Sequence, residues 1–147
     1  MTVRILVDTN VVIYTLDNRD PIRQARCHAW VSAMAAHRSI TISPQVINEA
    51  HNVLRKKLGV PGHDAERLLD PWLTVCDAPL TRRETEAALK IEQRWKAAWW
   101  DALLIASAAA AQCSHLLTED TQAAPVIEGV KIIDPFKTAP EDVLGAL

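Results

Sequence analysis

The first segment of the chain restricts the fold more than any other. Residues 3–7 form a short run of apolar, mostly β-branched side chains around one arginine, and the run stops at Asp8, Thr9 and Asn10. Such a run is typical of a buried strand in a parallel sheet. The carboxyl ends of parallel strands carry the sites of α/β proteins, so Asp8 is predicted to face a cleft. Asp8 equally suits the N-cap of a following helix, and the two roles are compatible.

The rest of the chain alternates short strands with helices. Strands are predicted at residues 3–7, 39–43, 73–76, 115–118 and 130–133, and helices at 10–16, 21–37, 44–58, 62–69, 81–96 and 99–112. Pro71 is expected to interrupt or end its helix, and Thr81 with Glu84 fits a capping box. The alternation predicts one domain, residues 1–147, with a three-layer α/β/α fold around a short-stranded parallel central sheet.

Composition and charge exclude several classes of protein. No run of 18 or more apolar residues occurs, so no membrane span is expected, and a cytoplasmic location is the default. Three widely separated cysteines and five histidines without ligand spacing argue against a disulfide framework and a zinc site. The formal net charge of −2 argues against nucleic-acid binding through bulk positive charge. Contacts with phosphates would therefore need a metal ion or a small basic patch.

Asp101 is the charge that is hardest to explain structurally. It is the only charged residue in the helix predicted at 99–112, which is apolar nearly all round and should be buried. A buried carboxylate without a partner costs several kcal/mol. A position near a helix N-terminus stabilises a carboxylate by only about 0.3–1 kcal/mol, and by up to about 2 kcal/mol when the group is partly buried. Asp101 therefore either faces solvent in the first turn or has a strong partner such as a cation.

Glu49 and Asp120 are the other carboxylates at the borders of core elements. Glu49 lies at the edge of an apolar helix face, where solvent exposure is the alternative, and Asp120 follows a strand, where a polar turn is the alternative. Two carboxylates about 4 Å apart repel by roughly 4 kcal/mol at an effective dielectric near 20. If these side chains meet, a cation is needed among them, and Mg²⁺ and Mn²⁺ prefer such oxygen ligands.

Four motifs in this order resemble the acidic motifs of PIN domains, and most closely those of VapC-like toxins from bacterial toxin–antitoxin pairs. The motifs are Asp8-Thr9-Asn10, Gln45-Val46-Ile47-Asn48-Glu49, Trp100-Asp101-Ala102-Leu103-Leu104-Ile105-Ala106 and Leu117-Thr118-Glu119-Asp120. The resemblance implies a PIN-like fold and a ribonuclease that depends on Mg²⁺ or Mn²⁺. It also implies a cognate antitoxin, a homodimer, and Asp8, Glu49, Asp101 and Asp120 as the catalytic and metal-binding residues.

Several alternatives stay open. Either Glu119 or Asp120 is the fourth acidic residue. The chain is a toxin, a PIN-type nuclease of RNA processing, or a non-catalytic α/β binding module without divalent-ion dependence. Each tryptophan belongs to the core, to an interface or to a base-stacking surface. Basic candidates for guiding RNA, each of which also fits an ordinary solvated surface, are Arg19, Arg23, Arg26, residues 55–57 and residues 82–83.

Overall fold

The computed structural model describes residues 2–120, 122 and 124–145. The described part forms one five-stranded sheet in the order β2-β1-β3-β5-β4, flanked by helices. The strands are β1 Ile5–Val7, β2 Ile40–Thr41, β3 His115–Leu117, β4 Val126–Ile127 and β5 Val130–Ile133. β1, β2, β3 and β5 pair in parallel, and β4 is antiparallel to β5. The predicted α/β fold with a short-stranded parallel central sheet is therefore confirmed, and the antiparallel edge strand β4 is an addition to it.

Six of the seven described helices match predicted ones, and the last was not predicted. The helices are α1 Thr9–Leu16, α2 Pro21–Ala36, α3 Pro44–Lys56, α4 Gly62–Leu73, α5 Arg82–Trp95, α6 Trp99–Ala110 and α7 Pro140–Leu144. The capping box of α5 is present, because the Thr81 backbone N–H donates to Glu84 Oε1 over 2.7 Å. Among the described helices, none has both the length and the apolar character that crossing a membrane requires.

The core explains why β1 and α6 occupy the centre of the molecule. All three residues of β1 are fully buried, and the α6 stretch of residues 102–108 is buried as well. The β1–β3 register pairs Val7 with Leu117, and the Asp8 N–H donates to the Leu117 carbonyl over 3.0 Å. This register places Asp8 beside Thr118 and the end of β3, at the carboxyl edge of the sheet.

Two local predictions are wrong. Residues 73–76 do not form a strand: α4 extends to Leu73, and turns follow in which the Val75 carbonyl accepts from the Ile42 N–H. Pro71 lies inside α4 and does not end it. Proline has no N–H, so α4 lacks one hydrogen bond at this position, and only two helical residues follow it. The strand predicted at 39–43 is also shorter than expected, because only Ile40–Thr41 pair with β1.

The edge hairpin of β4 and β5 was not predicted. Val126 pairs with Lys131 and Ile127 with Val130, so the connection has only two residues, Glu128 and Gly129. Both have positive φ, 52° and 78°, as a two-residue hairpin turn of the primed type requires. Glutamate is an unusual residue in the first of these positions, and a two-residue strand has no readable periodicity, so the sequence gives little warning of this hairpin.

Candidate active site

Three aspartates meet at the carboxyl edge of the sheet. Asp8 directly follows β1, Asp120 comes shortly after β3, and Asp101 lies in the first turn of α6. One carboxylate oxygen from each lies within 4.8 Å of those from the other two. The structure therefore brings together three of the four acidic residues that the sequence singles out, from three separate segments of the chain.

Asp8 is both a helix cap and a member of this acidic cluster. It is 5% exposed and caps α1 by accepting the Thr9 N–H over 2.6 Å, while Thr118 Oγ1 donates to its second oxygen over 2.7 Å. Burial raises the pKa of Asp8 to about 7, against the lowering effect of these two hydrogen bonds. The nearby charges of Asp120 and Glu49 raise it further. Without a cation, Asp8 therefore holds a proton more readily than an ordinary aspartate.

Asp101 finds no basic partner among the residues that the structure describes. Burial raises the pKa of its carboxyl, as do the charges of Asp120 and Glu49, while the Gln122 side chain opposes the shift. Within the part of the chain that the structure describes, no lysine, arginine or histidine forms an ion pair with any aspartate of the cluster. Asp101 was expected either to face solvent in the first turn of its helix or to have a strong partner such as a cation. It lies in the first turn of α6, but it faces two other carboxylates there, and this arrangement favours a cation as its partner.

Glu49 lies beside the cluster and is held by two donors. Thr9 Oγ1 donates to Glu49 Oε2 over 3.0 Å, and Gln45 Nε2 donates to Oε1 over 2.7 Å. Glu49 is thus neither freely solvated nor one of the three mutually closest carboxylates. Its charge nevertheless acts on Asp8 and Asp101, whose pKa values it raises.

Glu119 and Asp120 point to different partners. The Tyr14 hydroxyl donates to Glu119, with distances of 2.9 Å to Oε1 and 3.1 Å to Oε2. The Arg23 guanidinium lies 5.9 Å from the centre of the Tyr14 ring. Asp120, whose N–H donates to Thr118 Oγ1 over 3.0 Å, joins Asp8 and Asp101 instead. The geometry therefore favours Asp120 over Glu119 as the acidic residue that shares the cluster.

Comparison with known proteins places this geometry in a family. The family model described as the PIN domain matches residues 5–127, which include all four acidic motifs. The chain belongs to the PIN domain family. No curated protein sequence matches it significantly.

Solved structures share the fold of this PIN domain. The VapBC2 structure from Rickettsia felis, bound to a DNA fragment from its promoter, superposes with a TM-score of 0.65 at 15% identity, covering 88% of this chain and 97% of that one. PAE2754 from Pyrobaculum aerophilum gives 0.62 at 20% identity, covering 93% and 94%. VapC20 from Mycobacterium tuberculosis, described as a toxin that cleaves the sarcin–ricin loop, gives 0.56 at 20% identity, covering 76% and 86%. At these identities the comparisons show the fold.

The carboxylates of this PIN domain open into a cavity of about 330 Å³. Its lining residues are Asp8, Gln45, Glu49, Trp100, Asp101, Leu104 and Asp120. An adjoining cleft of about 390 Å³ shares Asp8, Glu49 and Asp120 and adds two of the predicted basic residues, Arg19 and Lys57. The combination of an acidic pocket and a neighbouring cleft with cationic side chains suits a ligand that carries phosphate groups.

Most of the basic candidates have structural partners, including Arg19, whose guanidinium pairs with Asp17 over 2.8 Å. Arg23 pairs with Asp20 over 2.9 Å, and Arg26 donates to the Pro135 carbonyl over 2.7 Å. Arg82 pairs with Glu86 over 2.7 Å on the exposed surface of α5. These contacts account for their charges without a nucleic acid.

Gln45 is a site residue that the sequence analysis quoted within a motif but gave no role. It is 5% exposed, and its Nε2 donates both to Glu49 and, over 3.0 Å, to the Trp100 carbonyl. Because both partners are acceptors, the orientation of the amide is fixed. Its Oε1 is consequently a buried acceptor for which the described residues offer no donor, an arrangement that costs about 1–3 kcal/mol unless a ligand or water supplies one. The sequence signal that could have indicated this role is the presence of a glutamine on the apolar face of α3, one turn before Glu49.

The residues present fit a hard divalent cation. The cluster offers only carboxylate oxygens, which Mg²⁺ and Mn²⁺ prefer, and it contains no cysteine or histidine of the kind that zinc selects. The desolvation of Asp8 and the mutual repulsion of the three carboxylates would both be relieved by such an ion.

Proposed function

We propose that this PIN domain is an endoribonuclease that depends on Mg²⁺ or Mn²⁺, and that it acts as the toxin of a type II toxin–antitoxin pair. The observation that carries the proposal is the cluster of Asp8, Asp101 and Asp120, whose carboxylates approach one another without a basic partner in the described part of the chain. Family membership and the shared fold with VapC20, itself described as a toxin that cleaves the sarcin–ricin loop, support RNA as the substrate.

Asp8, Asp101 and Asp120 would hold the ion, with Glu49 beside them. When bound, a divalent ion supplies a water of lowered pKa and stabilises the charge that develops on a phosphodiester during hydrolysis. The expected products carry 5′-phosphate and 3′-hydroxyl ends.

The neighbouring side chains keep these carboxylates in position. Thr118 Oγ1 donates to Asp8 Oδ2 and accepts from the Asp120 N–H, so one hydroxyl connects two members of the cluster. Asn10 Nδ2 donates to Thr118 Oγ1 over 3.2 Å and to Asp120 Oδ2 over 3.4 Å. This network limits how far the carboxylates can move apart, which favours a site whose ligands need little rearrangement to bind an ion.

Glu49 is held differently, and this suits a different task. With Thr9 and Gln45 donating to its two oxygens, its carboxylate keeps a fixed orientation at the wall of the cavity. From there it would orient the attacking water or accept its proton, while Lys57 in the adjoining cleft would contact a neighbouring phosphate.

The toxin role adds two partners to the proposal. A cognate antitoxin would block the acidic cavity, and two copies of the chain would form a homodimer. The fold shared with VapBC2 and VapC20 supports this assignment over a role in RNA processing.

Removal of divalent ions is expected to abolish the activity reversibly. The purified chain should cut RNA at internal positions in millimolar Mg²⁺ or Mn²⁺, should stop in excess chelator, and should recover when the ion is restored. Denaturing gels with end mapping provide the measurement. Undiminished cleavage in chelator, or no cleavage of any total-RNA preparation with either ion, would contradict the enzymatic proposal.

Expression of the chain in growing cells tests the toxin role. Expression of the chain should arrest growth, and co-expression of the antitoxin should relieve the arrest. Continued growth at a protein level that cleaves RNA in lysates would leave the nuclease standing and overturn the toxin role.

A further inference from the structure

A large aromatic side chain remains exposed at the mouth of the acidic cavity. Trp100 is 63% exposed, whereas Trp30 and Trp72 are buried in the core. It lies in the first turn of α6, directly before Asp101, and lines the cavity together with Leu104. The apolar part of an otherwise acidic cavity is therefore concentrated at these two residues.

The position of Trp100 is fixed through its backbone. Gln45 Nε2 donates to the Trp100 carbonyl and to Glu49 Oε1, so α3 and the start of α6 are joined at this point. The same glutamine lines the cavity and carries the buried Oε1 that finds no donor among the described residues. Trp100 and the glutamine that carries this unmet hydrogen-bond acceptor consequently border one cavity.

We propose that Trp100 and Gln45 form a subsite for one unpaired RNA base, adjacent to the phosphodiester that the carboxylates act on. The base stacks on Trp100 and donates an N–H to Gln45 Oε1. The inference rests on the proposed nuclease function and adds that the nucleotide beside the cleaved bond must be unpaired.

The chemistry of the cavity favours a nucleobase over an apolar protein side chain. A base is uncharged, flat and equipped with N–H donors, so it can use the tryptophan face and the glutamine acceptor together. An apolar side chain would bury the carboxylates beside Trp100 and leave Gln45 without a donor. A base within a duplex has both faces covered by its neighbours, so only an unpaired base can stack here.

The test combines protein variants with an RNA in which one abasic nucleotide is moved along the strand. Affinity is measured by fluorescence anisotropy in Ca²⁺, which takes the same oxygen ligands, and cleavage is measured in Mg²⁺. Trp100→Leu should weaken affinity and raise KM by about 5- to 150-fold, whereas Trp100→Phe, which keeps a stacking face, should stay within about threefold of wild type. Leu89→Ala, at an exposed apolar position of α5 outside the cavity, is the matched control.

The abasic series identifies the contact itself. One abasic position next to the cleaved bond should weaken binding to the wild-type protein by more than Trp100→Leu does, because it removes the donor to Gln45 Oε1 as well as the stacked ring. On that abasic RNA, Trp100→Leu should cause no further loss. At that position, a purine ring that lacks N–H donors should bind about fivefold or more weakly than adenine, because Gln45 Oε1 then stays unmet.

Several results would overturn the subsite. The first is that Trp100→Leu binds RNA as tightly as the wild type. The second is that Trp100→Leu weakens binding of the abasic RNA as much as binding of the intact RNA. The third is that adenine and the purine without N–H donors bind equally well. If Trp100→Leu does not fold, the abasic series on the wild-type protein decides alone, and indifference at every position contradicts the inference. If the protein binds RNA without cleaving it, the nuclease proposal fails while the affinity comparison still decides the subsite.

Discussion

Replacing Asp101 with asparagine is expected to reduce RNA cleavage by about three orders of magnitude while the fold persists. The substitution keeps the size of the side chain and removes one charge from a cluster in which each oxygen is within 4.8 Å of the others. Metal-assisted charge stabilisation contributes several kcal/mol to such reactions, and each 1.36 kcal/mol corresponds to a factor of ten in rate. Single-turnover cleavage of an end-labelled RNA in Mg²⁺ measures the loss directly.

Two matched variants show whether the loss belongs to the cluster. Asp70→Asn removes one charge from the exposed surface of α4 and should cleave at the wild-type rate. Glu119→Gln changes the residue next to Asp120, but its side chain faces Tyr14, so it should lose less than about tenfold. If Asp101→Asn retained activity comparable to Asp70→Asn, or if Glu119→Gln lost as much as Asp101→Asn, the assignment of roles would be wrong.

Replacing Asp8 with asparagine is expected to inactivate the enzyme and yet stabilise the metal-free protein at neutral and alkaline pH. Burial raises the pKa of Asp8 to about 7 in the folded chain, while an unfolded aspartate titrates near a pKa of about 3.9. Between these values the folded state binds a proton that the unfolded state has released. The free energy of unfolding of the metal-free protein should therefore fall as pH rises from about 4 to about 7, and stay low above that.

The size of this effect follows from the shift. Three pKa units at 1.36 kcal/mol each give an upper limit of about 4 kcal/mol, and the raised pKa of Asp101 adds a contribution of the same sign. The amide nitrogen of asparagine cannot accept hydrogen bonds from Thr118 and Asn10, and this loss offsets part of the stabilisation. The free energy of unfolding of Asp8→Asn at pH 8 is therefore expected to exceed that of the wild type by about 1–3 kcal/mol.

Urea unfolding in chelator from pH 4 to 8 provides this measurement. Wild type and Asp70→Asn should lose stability with rising pH, and Asp8→Asn should lose distinctly less. Addition of Mn²⁺ at pH 8 should restore the wild type, by about 2.7 kcal/mol at a hundredfold excess over Kd, and should help Asp8→Asn much less. Stability of the wild type that is flat or rising across this range, with no gain in Asp8→Asn, would contradict the picture of an uncompensated buried carboxylate.

The sequence was informative where function conflicts with local structural rules. Asp8 ends an apolar strand and Asp101 is a lone charge in an apolar helix. Both can be recognised in the sequence because burying a charge costs free energy, and both lie in the cluster. Short strands carry little periodicity, which explains why the two-residue β4 escaped prediction and why a strand was expected at residues 73–76, where turns follow α4. Pro71 shows that a helix breaker near the end of a helix need not end it.

The finer arrangement of the site depends on contacts that no local pattern contains. The choice between Glu119 and Asp120 is made by Tyr14, more than a hundred residues earlier, whose hydroxyl binds one of two adjacent acids. The role of Gln45 likewise appears only when α3 and α6 are side by side and one amide joins Glu49 to the Trp100 carbonyl. Such hydrogen bonds join residues that only the folded chain brings together.

The central claim is that Asp8, Asp101 and Asp120 hold a divalent ion, and diffraction from crystals grown in Mn²⁺ tests it most directly. Anomalous scattering locates manganese independently of any assay of activity. The account predicts an anomalous peak in contact with the three carboxylates, which Asp101→Asn crystals grown in the same way should lack or show much reduced. Crystals of the wild type saturated with Mn²⁺ that show no peak at this cluster, or show the ion elsewhere on the molecule, would contradict the claim.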